Sequence, residues 1–202
     1  MHYGLGLYWQ GDLPAAKAAW RRARKAQPDT AYSLSAEDLL YPHFPRGLPT
    51  FVPSFIPPRA LNGLSPPAQL AYLERLATTG GERGKLLYGI ALQRLQHQIS
   101  ARHEFDAAAA LAPHDPEAQV AAAVARFDKA NPSLTFSRLG PLARRYPKSQ
   151  SVRFHLGLSL LWLGSLKDAR EQLKLARALG PRTPLGSEAN RFLARLAGIR
   201  TR

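Results

Sequence analysis

An all-α fold of stacked helical hairpins is what this 202-residue sequence predicts, on three observations. Pro113, Pro147 and Pro181 stand 34 residues apart, and the same stride links Gly89, Ala123 and Gly157, then Ala101, Thr135 and Ala169. It also links Phe105, Leu139 and Leu173, then Ala108, Leu142 and Ala176; Thr135 is the one polar residue in these columns. A fixed stride of small, large and turn residues marks units that bury a face only by stacking on their neighbours. The second observation is apolar spacing of helical period, as in Leu70, Leu73 and Leu76. The third is punctuation: Asp115-Pro116-Glu117 supplies an N-cap, a proline at the first helical position and an acid at the positive helix end.

Taken in order, residues 1–28 form a first unit, because Gly4, Leu7, Gly11, Ala16, Trp20, Ala23 and Pro28 keep the same internal spacings, with Asp12-Leu13 in the turn. Met1 falls at the fifth position of that unit, so either translation begins within the helix or the chain is a piece of a longer protein. Residues 29–81 form a degenerate unit. It opens with a short helix at about 35–40, where Ala36, Leu39 and Leu40 share a side. Prolines at 42, 45, 49, 53, 57, 58, 66 and 67 then forbid a long helix between Tyr41 and Pro67. A helix restarts at Ser65-Pro66-Pro67 and ends at Gly80-Gly81. Three units follow, over 82–113, 114–147 and 148–181. The middle one is the weakest, since Ala130-Asn131-Pro132 stands where the others turn. In the last, Ser165-Leu166-Lys167-Asp168 has capping-box spacing. Residues 182–202 hold a capping helix from Thr183-Pro184 to about Ala197, with Phe192, Leu193 and Leu196 on its apolar stripe and Arg191, Arg195 and Arg200 facing water.

The last full unit, with Leu156-Gly157, Leu160, Gly164, Ala169, Leu173, Ala176 and Pro181, resembles the tetratricopeptide repeat family. That resemblance implies a right-handed solenoid of about ten helices with a proline-rich insertion, a single domain over 1–202. Its first helices would line a concave groove: Leu5, Tyr8 and Trp9; Leu86, Ile90, Gln93 and Arg94; Val120, Val124, Phe127 and Asp128; Phe154, Leu158, Leu161 and Trp162. The family's carboxylate clamp needs Asn where this chain has Leu5, Ile90, Val124 and Leu158, so chaperone-tail binding is not expected. The bland account of the same residues is inter-helix core, or surface covered by the proline-rich arm.

The arm over 41–67 carries Tyr41, Phe44, Phe51, Val52, Phe55 and Ile56, which disordered linkers avoid. Three arrangements fit: an irregular loop covering core at a degenerate unit, which is the favoured one; an extended segment lying in the groove where a partner peptide would dock; or a mobile partner-binding motif.

Net charge is +14 with pI ≈ 10.7, which favours anionic partners. Lys17, Arg21 and Arg24 share one helical face, and so do Arg170, Lys174 and Arg177; both are candidate contacts for phosphates or an acidic protein surface. Solvation and favourable placement near helix C-termini account for them equally simply. No cysteine is present, which excludes disulfides and thiolate sites. The six histidines form no ligand pair, and His103 near Asp106 is a surface contact. Ser100 has no oriented base, and Gly80-Gly81 lacks the residues of a phosphate loop. The expectation is a non-catalytic protein scaffold without cofactor or metal, cytoplasmic and not membrane-spanning. It binds a partner peptide or helix through the apolar groove. Nucleic-acid binding by the basic face is the alternative.

Overall fold

The protein is described by a computed structural model covering residues 1–198, so Arg200 lies outside the described residues. Among those residues there are eleven α-helices and no strand. They are α1 (His2–Trp9), α2 (Leu13–Ala26), α3 (Ala31–Leu40), α4 (Pro66–Thr79), α5 (Gly81–Arg94), α6 (Gln98–Leu111), α7 (Pro116–Val124), α8 (Ser133–Arg145), α9 (Gln150–Trp162), α10 (Leu166–Leu179) and α11 (Pro184–Ala197). A 3-10 turn at Arg59–Leu61 interrupts the arm.

Caps begin the helices where short polar side chains occur. Asp12, Thr30, Asp115, Ser149 and Thr183 each accept a backbone N–H from the first turn of the following helix, satisfying a donor that the helix itself cannot. The Thr30 cap starts α3 four residues earlier than the spacing of its apolar residues suggests. Ser165, despite its capping-box spacing, makes no side-chain cap bond.

Consecutive helices pack on one another from α4 to α11, and α1, α2 and α3 do so separately. The same close contact recurs within hairpins. A methyl group placed on Gly4 would lie 2.5 Å from the Trp20 ring, one on Gly89 2.5 Å from Phe105, and one on Gly157 2.9 Å from Leu173. Each pair is a small residue on the first helix facing a large one sixteen positions later, which is what lets the two axes approach. The turns match as well. Asp12 donates to Leu7, His97 to Leu92 and Ser165 to Leu160 through backbone bonds that step back five residues. The residue before each donor has positive φ: Gly11, Gln96 and Gly164. Gln96 takes at φ 65° the conformation that glycine adopts without cost. Ala108 and Ala176 are fully buried on α6 and α10, with Leu142 half-buried at the corresponding place on α8.

The hairpin of α7 and α8 departs from this pattern. Helix α7 stops at Val124, and 3-10-type bonds from Arg126 to Ala123 and from Phe127 to Val124 tighten its end. Phe127 and Asp128, expected on the first helix, therefore lie in the turn beyond it. The connection through Ala130-Asn131-Pro132 contains no residue of positive φ, unlike the short turns at Gly11, Gln96 and Gly164, and it runs longer.

Helix α3 does not pack lengthwise on α4, its successor in the chain. The first three helices instead dock against the turns of later hairpins. Asp29, in the α2–α3 connection, accepts from the backbone N–H groups of Ile99 (2.7 Å) and Ser100 (3.2 Å) and from the Ser100 hydroxyl (2.6 Å). It thus caps α6 from a distant part of the chain, because α6 has no cap of its own at His97. The His97 ring meets the Asp29 carbonyl at 2.8 Å. Lys129, in the α7–α8 connection, binds Asp38 of α3 and donates to the Pro45 carbonyl at 2.8 Å. Its side chain is wholly buried and lies over the Trp162 ring. Three apolar cores result: one spanning α5 to the start of α9, one joining α9, α10 and α11, and one within α1, α2 and α3.

Candidate functional site

The proline-rich arm crosses the first helices of three successive hairpins. At Phe51 the backbone N–H donates to Gln93 Oε1 of α5 at 3.2 Å. At Val52 it donates to His155 Nε2 of α9 at 2.9 Å. Ser54 donates its N–H and its hydroxyl to the two Glu117 carboxylate oxygens of α7, at 2.6 and 2.7 Å. Side chains from three helices thus satisfy an extended backbone that has no strand partner. Because successive residues of an extended chain point to opposite sides, Phe51 enters the central core while Val52 packs on the α9–α11 core.

Phe51 is 2% exposed, edge-on to Phe105 and stacked on the His155 ring at 5.1 Å. Full burial of a side chain that size contributes about 2–3 kcal/mol. Farther up the arm Phe44 meets Phe127 edge-on, and Phe127 in turn meets Trp162. Arg83 lies over the ring of Phe55, while Ile56 stands 82% exposed just beyond.

His155 is the centre of this arrangement. Its Nδ1 lies 2.7 Å from the Ser151 carbonyl and its Nε2 faces the Val52 N–H, which assigns the neutral tautomer with the proton on Nδ1. Burial lowers its pKa from 6.5 to about 4, partly offset by the bond to Ser151. Glu117 is held above the usual carboxylate range, chiefly by burial, with the Ser54 bonds opposing the shift.

The expected groove residues are thus mostly covered. Leu86, Ile90, Gln93, Val120, Val124, Phe127, Phe154 and Leu158 are all buried, and Leu161 and Trp162 half-buried. Arg94 is exposed at the end of α5. Tyr8 packs on Trp20 and Trp9 is 80% exposed; both belong to α1, which packs on α2. Besides Gln93, the arm is held by two groups whose role the pattern does not reveal: it marks Glu117 only as an acid at the start of its helix, and His155 only as one of six histidines without a ligand pair. The available signal was a histidine set among Phe154, Leu158 and Leu161 on one helix face.

The two basic series have different fates. Arg170 donates to the Leu196 carbonyl at the end of α11, Lys174 pairs with Glu171, and Arg177 reaches Asn190. Lys17, Arg21 and Arg24 lie on α2, where Arg21 and Arg24 face a cleft together with Lys25. Asp106 is held by both of its oxygens to Arg126 at 2.8 Å. Ser100 and His97 serve the Asp29 cap. No helix among the described residues is long and apolar enough to cross a membrane.

No family model matches the chain, and no curated protein sequence does either.

Proposed function

We propose that this chain is a non-catalytic scaffold of the tetratricopeptide type, whose concave face holds an extended polypeptide segment. The observation that supports this is the triple reading of the arm: Gln93, His155 and Glu117, from three hairpins, each take a backbone N–H while Phe51 and Val52 fill apolar sites between them. Extended peptides are recognised in this way, with backbone bonds for affinity and alternate side chains for specificity. In the resting chain the arm itself occupies the face, and a partner segment of the same character takes its place. The arm is attached at both ends, so it competes at an effective concentration of about millimolar, and a partner binds only when it exceeds that or when the arm is weakened.

A labelled peptide of residues 48–57, added to the full chain carrying Phe51→Ala and Val52→Ala, tests this by fluorescence anisotropy. Saturable binding is expected, with the unsubstituted chain binding about tenfold more weakly because its own arm is intact. Absence of binding up to about 100 μM, with helix content unchanged, rules the reading out. Nucleic-acid binding through the α10 face has less support, because Arg170, Lys174 and Arg177 all have protein partners.

A further inference from the structure

A cleft of about 720 Å³ lies where the first three helices meet the turns of the later hairpins, with Leu48 of the arm in its lining. Its walls come from α2, α3, α6, α8 and the α7–α8 connection. Six basic side chains line it: Arg21, Arg24 and Lys25 of α2, Arg102 of α6, Arg126 after α7, and Arg138 of α8. The acids among its lining residues are Glu37 and Asp128. Arg126 is committed to Asp106. The other five cations make no ion pair or hydrogen bond among the described residues, unlike the arginines and lysine of α10. Arg24 is partly offset by Glu37, whose pKa burial raises and the Arg24 charge lowers. The five cations from three separated helices still outnumber the two acids of the lining, a cost that an anionic ligand removes.

The floor tells what kind of anion. Leu34, Ile99 and Leu134 line the same cleft, and Leu134 is 45% exposed. A chain of phosphates has no use for such a floor. A nucleic acid would need a free ring face for its bases. The aromatic residue in the lining, Phe127, is 5% exposed and packed between Phe44 and Trp162. Guanidinium groups bind carboxylates and phosphates alike through two parallel bonds, so it is the apolar lining that favours the carboxylates of a peptide.

We propose that this cleft binds an acidic segment of a partner protein, carboxylates on the arginine rim and an apolar side chain on the floor of Leu34, Ile99 and Leu134. The proposal rests on the scaffold reading and deepens it, by assigning a second contact of opposite chemistry. The arm between 41 and 67 has no acidic residue, so the ligand of the concave face and that of the cleft are distinguishable.

The test uses the full chain and a labelled peptide of about twelve residues repeating Glu-Glu-Leu, with a Gln-Gln-Leu peptide, inorganic tripolyphosphate and oligouridylate as comparisons. Binding of the acidic peptide is expected to be at least about tenfold tighter than that of the neutral one and to weaken with added salt. The variant Arg24→Glu/Arg102→Glu/Arg138→Glu should lose about tenfold or more, and Leu134→Ser should weaken the acidic peptide but not tripolyphosphate. Lys174→Glu/Arg177→Glu on α10 should change neither. Equal loss in the α10 variant, or tripolyphosphate or RNA binding tighter than the peptide, overturns the proposal. If the triple variant loses helix content, the exposed single changes Arg138→Glu and Leu134→Ser decide it in the same assay. A chain that takes the acidic peptide but not the 48–57 peptide sinks the concave-face reading alone; the reverse result sinks the cleft alone.

Discussion

The fully buried imidazole of His155 accepts the amide hydrogen of the half-buried Val52, 103 residues earlier in the chain, at 2.9 Å. That bond needs an unprotonated Nε2, so one proton sets the arm against the helix that holds it. The unfolded chain takes up this proton near pH 6.5, whereas the folded chain resists it until about pH 4. Between those values the unfolded state binds more protons, and stability therefore falls as pH falls. The loss from this group amounts to about 3 kcal/mol by pH 4. Glu117, whose carboxyl burial raises, contributes in the opposite sense: its effect favours the folded state on acidification. Urea unfolding at pH 7 and pH 4.5, on the natural chain and on His155→Gln, separates the two. The His155 chain should lose stability more steeply; parallel pH profiles would contradict the burial of a neutral ring at this site.

Gly89 and Gly6 should respond oppositely to added bulk. A Cβ on Gly89 meets Phe105 at 2.5 Å, while one on Gly6 has nothing within 4 Å. Gly89→Val is expected to cost about 1–3 kcal/mol through overpacking. Gly6→Ala should gain up to about 1 kcal/mol, from helix propensity alone. Thermal unfolding of the two variants gives the comparison.

Thr135 is fully buried on α8, and its hydroxyl has no partner among the described residues. The corresponding positions, Ala101 and Ala169, carry no polar group. Thr135→Val keeps the shape and removes the unpaired hydroxyl, so it should stabilise the chain by about 1 kcal/mol in chemical denaturation. A loss of similar size would mean that the hydroxyl is satisfied.

Asp38 holds the buried Lys129 ammonium and also accepts the Gly47 N–H at 2.9 Å. Asp38→Ala leaves that ammonium without its counter-charge and should cost about 3 kcal/mol. The double change Asp38→Ala/Lys129→Met should recover most of it, since no charge is then stranded. Because the pair ties α3 and the start of the arm to the α7–α8 connection, trypsin should cut after Arg46 faster in the single variant.

The stride of prolines and the small-to-large alternation were enough to predict an all-helical chain, and its successive helices pack on one another from α4 to α11. Close approach at Gly89 and Gly157 is a local requirement that sixteen residues of one hairpin satisfy, so it is written in the chain at a fixed interval. The arm's course was not. Its prolines exclude a helix, but where an extended segment lies depends on donors and acceptors brought together from far away: Gln93, Glu117 and His155 share no spacing with Phe51, Val52 and Ser54. The same limit hid the cleft, whose cations stand on α2, α6 and α8 and become neighbours only once Asp29 caps α6 and Asp38 meets Lys129. Periodic packing between neighbours in the chain was thus determined by sequence alone. The tertiary structure decided the rest, because capping, ion pairing and burial of the arm are each completed by groups that lie dozens of residues away.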